Sequence, residues 1–150
     1  MNETLEFLRE SLEYTQKDIA EKLEITQATY SKYENNILQI PLIQLNKLSN
    51  ILNANMDYIM ELTRKNQETI TLDKLDYKLI GSRIKEFRED NNISMRALAK
   101  QFNTSHSTIS SYESGDTIIM TSFALELAKK YNISLDWLVG KSNNKYIKKK

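Results

Sequence analysis

The feature that most constrains this chain is that it repeats itself. Shifted by 79 positions, residues 5–63 lie on 84–142 without a gap, and 11 of the 59 pairs are identical, among them Arg9/Arg88, Tyr33/Tyr112, Glu34/Glu113 and Asp57/Asp136. The identities alone would be modest. The substituted pairs keep their character: Ile19/Leu98, Leu23/Phe102, Thr26/Ser105, Met56/Leu135 and Tyr58/Trp137. A gapless repeat of this length is one folding unit used twice. A chain of 150 residues has room for two such units and little else.

Each copy reads as five short helices. In copy 1, Leu5, Leu8 and Leu12 mark one helical face. Thr15 then offers a hydroxyl cap, with Asp18 three residues on to complete it, ahead of Ile19, Ala20 and Leu23. Thr26 caps a third helix that turns Tyr30 and Tyr33 inward, Pro41 suits a first helical turn before Leu45, Leu48 and Leu52, and Asn55 caps a last helix. Copy 2 follows the same plan, with Ser94, Ser105 and Ser134 as caps and Thr121 or Ser122 opening its fourth helix. Only Thr69–Leu72 alternates as a strand would. The expected fold is therefore all-α. Its divisions are a first domain over 1–64, a short polar linker over 65–78, a second domain over 79–142 and a frayed basic tail over 143–150.

Composition removes several function classes. With no Cys and one His, disulfides, thiolate centres and multi-His metal sites are excluded. Three glycines leave no glycine-rich phosphate loop. Asp57 and Asp136 recur at matched helix starts, where capping explains them better than catalysis. We expect no enzyme, no catalytic residue, no metal and no cofactor. No apolar run reaches the length of a membrane span and no leader opens the chain, so a soluble cytoplasmic protein without a membrane partner is expected.

The informative unit is Thr15–Asn36 with its counterpart Ser94–Gly115: two helices a few residues apart, with a small Ala20 or Ala99 where they cross. Copy 2 reads SMRALAKQFNTSHSTISSYESGD and then LAKKYNISLDWLVG; copy 1 reads TQKDIAEKLEITQATYSKYENN. These segments resemble the Cro/repressor-type, xenobiotic-response-element-like helix-turn-helix family. The resemblance covers about 59 residues twice. It implies two tandem five-helix, lambda-repressor-like domains in a bacterial or phage protein, with the third helix of each lying in the major groove of double-stranded DNA. It departs from the family where a usual Gly is Glu24 or Asn103, where another is Asn36, and where a usual Pro is Ile40 or Ile119.

On that geometry Gln27, Ala28, Ser31 and Lys32 face the groove in copy 1, and His106, Ser107, Ser110 and Ser111 in copy 2. Gln can pair with adenine, Ala can touch a thymine methyl, and Lys can reach guanine or phosphate. Gln16, Lys17 and Arg96 open the second helices, and the caps Thr26 and Ser105 open the third, where phosphate is met. Arg9 with Glu34 and Arg88 with Glu113 are expected to pair within each copy, and Tyr58 and Trp137 to pack in the core.

Charge separates the copies. Residues 1–66 hold 7 Lys/Arg and 10 Asp/Glu, a net of −3, whereas residues 79–150 hold 12 and 7, a net of +5. Copy 2 is then the electrostatic anchor, through Arg83, Arg88, Arg96 and the lysine tail, and copy 1 the richer base reader. The leading expectation is a sequence-specific DNA-binding transcriptional regulator, a repressor by type, using both domains. The alternative is an antitoxin-like or protein-interaction module in which only one domain binds DNA. A homodimer or a protein partner stays open at this point.

Overall fold

The computed structural model describes residues 1–147; Lys148–Lys150 lie outside it. Its helices are α1 (Glu3–Ser11), α2 (Gln16–Leu23), α3 (Gln27–Glu34), α4 (Leu42–Leu52) and α5 (Met56–Ile59), then α6 (Tyr77–Asp90), α7 (Met95–Gln101), α8 (His106–Ser114), α9 (Thr121–Tyr131) and α10 (Leu135–Val139). Among the described residues there is no strand, only an isolated antiparallel bridge between Ile133 and Tyr146. The all-α, two-copy architecture expected from the repeat is the one observed.

The caps explain why the chain breaks into short pieces. Thr15 and Asp18 form a complete capping box, with Thr15 Oγ1 accepting from Asp18 N and Asp18 Oδ2 accepting from Thr15 N. Thr26, Asn55, Ser94, Ser105 and Ser134 each accept a backbone N–H from the first turn they open. The exits are as regular as the entries. Left-handed backbone occurs at Glu13, Glu24, Asn36, Asn53 and Glu61, and 79 residues later at Asn92, Asn103, Gly115, Asn132 and Gly140. The turns that lack the family glycine thus keep its conformation, with Asn, the next-best residue there, at several of them.

The buried apolar side chains of both copies form one contiguous cluster, from Leu5, Ile19 and Leu48 to Phe87, Leu127 and Leu138. The copies are joined about a pseudo-two-fold axis by two aspartates. Asp136 accepts from Met56 N at 2.8 Å and Asp57 N at 3.0 Å. Asp57 accepts from Leu135 N at 2.7 Å and from the Ser134 hydroxyl. Each carboxylate therefore caps the last helix of the other copy. Capping was the expected role of these residues, but of their own helices. The pairing is isologous: residue i of one copy meets the equivalent of its own neighbour in the other. Beside this axis, Thr121 Oγ1 donates to Ile40 O at 2.6 Å, fixing the α3–α4 connection of copy 1 against the start of α9. Thr121 is the first residue of α9 and Met120 its cap position; Pro41 is likewise the cap position of α4 rather than a residue of its first turn.

Differences between the copies come from what flanks them. The segment after α5 is ordered by amides: Asn46 and Asn50 donate to Leu72 O, Asn55 to Lys65 O and Gln67 O, and Ile70 N to Lys141 O. Residues 143–147, expected to fray, are instead packed. Ser134 N donates to Lys145 O, Ile147 N donates to Asn132 O, and Ile147 is buried. The basic end of that expected tail, Lys148–Lys150, lies outside the described residues. In copy 1 a single side chain replaces this backbone pairing: Asn66 accepts from Asn55 N at 3.0 Å and donates to Asn53 O at 3.3 Å. Leu12, expected on the inner face of α1, is half exposed as its C-cap, because the helix ends one residue earlier.

Helix α6 begins more than a turn earlier than α1 does in its own copy. It rests so closely on α8 that a Cβ at Gly81 would sit 2.3 Å from Tyr112 O and 2.5 Å from Glu113 O. The position matching Gly81 is Asn2, whose N–H donates to Glu34 O at 2.6 Å. Gly81→Ala must therefore push the helices apart. We expect a loss of about 1–3 kcal/mol in urea unfolding; unchanged stability would contradict the close approach.

Burial raises the Asp57 carboxyl to about 8, and the nearby Asp136 charge adds to the rise. A folded-state value above the unfolded one means that the proton stabilises the native state. Asp57 then contributes most at or below about pH 4, and its contribution falls as pH rises towards 8. Asp57→Asn removes this term, so its stability relative to the parent should improve steadily from pH 5 to 8. A difference independent of pH in urea titrations would contradict the assignment.

Candidate nucleic-acid interface

The two-helix unit of each copy is built from its buried side outward. Ile19, Ala20 and Leu23 of α2 and Tyr30 and Tyr33 of α3 are buried, as are Leu98 and Ala99 of α7 and Ile109 and Tyr112 of α8. With these turned inward, the opposite ridge of α3 or α8 is what remains for a ligand. Beneath each ridge lies an ion pair. Arg9 Nε donates to Glu34 Oε2 at 2.6 Å and Arg9 Nη1 to Tyr14 O at 2.8 Å. Arg88 repeats this with Glu113 at 2.6 Å and Ile93 O at 3.1 Å. The two-pronged contact fixes the end of each third helix against the first helix and the α1–α2 or α6–α7 turn. The expected pairing within each copy is what the structure contains.

The residues predicted to meet DNA fall into three groups. Gln27, Ala28 and Lys32 are exposed and Ser31 is half-buried, on one ridge of α3; His106, Ser107 and Ser110 are exposed and Ser111 is half-buried, on the matching ridge of α8. Lys17 and Arg96 are exposed in the first turns of α2 and α7. The other three are tied locally. Thr26 and Ser105 are N-caps whose oxygens hold Thr29 N and Thr108 N, and Gln16 is half-buried with its Nε2 donating to Glu34 Oε1 at 3.2 Å. That last bond links the opening of α2 to the buried ion pair.

Electrostatics require a correction. Arg83 and Arg88 were expected to supply phosphate grip, and neither is available for it. Arg83 Nη1 donates to Trp137 O and Ser142 O while its guanidinium lies 5.0 Å from the Trp137 ring centre, and Arg88 is held by Glu113. Lys145 is bound to Glu86 and Asp90, and Lys141, only 2% exposed, donates to Asn46 and Asn50 of copy 1. Burial lowers the Lys141 ammonium, a shift opposed by the Asp136 charge. Much of the positive excess of copy 2 is therefore structural. Trp137 is buried in the core as expected, and Tyr58 is half-buried.

One asymmetry escaped the sequence reading. The connection after the third helix folds back identically in both copies: Ile37 N and Leu38 N donate to Lys32 O, and Asp116 N and Thr117 N donate to Ser111 O. The same backbone thus presents Ile37, 71% exposed, and Leu38 in copy 1 but Asp116 and Thr117 in copy 2. The repeat alignment held the signal, in apolar residues paired with polar ones outside any helix.

Comparison with known proteins agrees with this construction. The helix-turn-helix family model matches twice, over residues 5–59 and 84–138. The chain belongs to that family. It is also similar to the HTH-type transcriptional regulator ImmR of Bacillus subtilis (strain 168), 33% identical over 96 residues that span 62% of this chain and 72% of that protein. No solved structure matches the chain. Among the described residues no helix is long and apolar enough to cross a membrane, and no group of three His, Asp or Glu could hold a metal ion.

Two arginines separate structural from ligand-facing roles. Arg88→Ala leaves Glu113 uncompensated and should cost about 3 kcal/mol or more of stability. Arg96→Ala should leave the thermal midpoint within about a degree while weakening DNA binding, because exposed substitutions of this kind change stability little. Equal midpoint shifts for the two variants would contradict the division.

Proposed function

We propose that this DNA-binding transcriptional regulator is a repressor that reads an asymmetric operator, one half-site per copy, from a single chain. The observation that carries the reading is the reciprocal capping by Asp57 and Asp136, which ties the two copies, and with them α3 and α8, into one folded chain. Family members that bind as dimers place two third helices in successive major grooves, about 34 Å apart. Here the covalent chain supplies both. The reading helices differ in sequence, so the half-sites must differ too.

In this reading Gln27, Ala28, Ser31 and Lys32 carry most of the base discrimination. Gln27 pairs with an adenine edge, Ala28 lies on a thymine methyl, and Lys32 reaches guanine or phosphate. His106, Ser107, Ser110 and Ser111 make shorter, less selective contacts. Lys17 and Arg96 meet phosphates, while the amides behind Thr26 and Ser105 and the side chain of Gln16 set the register. The protein works by occupying DNA in the cytoplasm, and its work is binding rather than catalysis. Similarity to ImmR supports the regulatory role.

Selection of bound sequences from a random pool, followed by footprinting, tests the proposal. The expected outcome is unequal protection of two half-sites one helical turn apart, with Gln27→Ala and Lys32→Ala each costing about 1–3 kcal/mol on the copy 1 half-site. A perfect inverted repeat, or full affinity in both variants, would favour a module that uses copy 1 for a protein partner.

A further inference from the structure

The internal commitments of Arg83, Arg88, Lys141 and Lys145 leave a question of charge. The outer ridge of α8 carries no Lys or Arg, and Arg96 is the cation in the first turn of the neighbouring α7. The last turn of α7 adds the exposed Lys100; phosphate neutralisation is a major source of DNA affinity, so further cations beside this second reading head would strengthen its grip.

A cleft between the copies supplies them. Its volume is about 720 Å3, and it is bounded by α4 of copy 1, the end of the linker, the first turn of α6 and Gly115, the C-cap of α8. Three lysines line it, one from each part of the chain: Lys47 on α4, Lys74 in the linker and Lys78 on α6. Lys74 and Lys78 are exposed and Lys47 is half-buried. The backbone of Lys78 packs directly on the end of α8: a Cβ at Gly115 would lie 2.9 Å from Lys78 N and Cα. Two carboxylates also line the cleft. Asp76 caps α6, accepting from Lys78 N and Leu79 N at 3.1 and 3.2 Å, and it keeps its charge, so with Asp73 it leaves the three lysines an excess of one positive charge. The apolar wall is formed by Ile43 and Leu75. Helix α1 starts at Glu3 and has no counterpart of the added turn of α6 that carries Lys78.

We propose that Lys47, Lys74 and Lys78 form a phosphate-binding cleft, built by the linker, that grips the DNA backbone between the two half-sites. The inference rests on the DNA-reading role of α3 and α8 and adds a contact that neither copy makes alone. The linker is then part of the binding surface as well as a tether, and its ordering by Asn46 and Asn50 holds Lys74 in place. Gly115, the C-cap of α8, lines the cleft, and the chemistry of its lysines is blind to base identity.

The dependence of affinity on salt reads this out. Each phosphate contact contributes about 0.9 to the slope of log K against log salt. The full chain and a K47Q/K74Q/K78Q variant are titrated onto the preferred DNA and a scrambled duplex across a range of salt. The expected result is a slope shallower by about 2–3 in the variant, with the preference for the selected sequence retained. A K74Q/K78Q variant, confined to exposed positions, should show about two-thirds of that change. Slopes equal to the parent's in both variants would overturn the cleft while leaving the reading heads intact. A parent protein without sequence preference at any salt would instead overturn the DNA reading on which the cleft depends.

Discussion

The structure depends on the exchange of helix caps between Asp57 and Asp136. A short terminal helix leaves its first amides without partners, and in a single copy water would satisfy them. Here each copy supplies the missing acceptor to the other, in a position both would bury. Removing either carboxylate leaves buried N–H groups unpaired in the opposite copy, so the two halves cannot separate without cost to both. Asp57 is 6% exposed and Asp136 2%, and the proximity of two carboxylates is itself unfavourable. The donors that surround them, together with the proton favoured on Asp57, offset that repulsion.

This constraint sets the orientation of everything built on it. The ion pairs of Arg9 with Glu34 and Arg88 with Glu113 lock α3 and α8 within their copies, and the aspartates lock the copies to one another. The placement of the two outer ridges relative to one another is therefore a property of the folded chain. In the proposed single-chain reading, preorganisation of this kind removes an association step and its entropy from binding. In that reading it also frees the two third helices to diverge, as Gln27 and Lys32 have from His106 and Ser111.

Much of this was legible in the sequence because the relevant signals are local. Thr15 with Asp18, Thr26, Asn55, Ser94, Ser105 and Ser134 mark helix starts by chemistry that acts over three residues, and all of them hold in the structure. Apart from Leu12, the buried faces named from spacing in copy 1 are the observed ones. What escaped was long-range. Asp57 and Asp136 were rightly read as caps but assigned to their own helices, because sequence spacing cannot distinguish a local amide from one 78 or 79 residues away. Arg83 was read as a free cation because nothing near it in sequence announces Trp137 O or Ser142 O. The packing of residues 143–147 was missed for the same reason: composition suggested a loose end, and Asn132 and Ser134 supply the partners. Asn66, whose side chain reproduces a backbone pairing found in copy 2, lies beyond the end of the repeat and carries no sequence signal.

The central claim is that one chain holds both reading heads, and the mass of the protein–DNA complex tests it most directly. Light scattering or native mass spectrometry on the selected duplex, at protein concentrations near the dissociation constant, should give one chain of 150 residues per duplex, with no dependence of half-site occupancy on protein dimerisation. Two chains required for each occupied site would contradict the account.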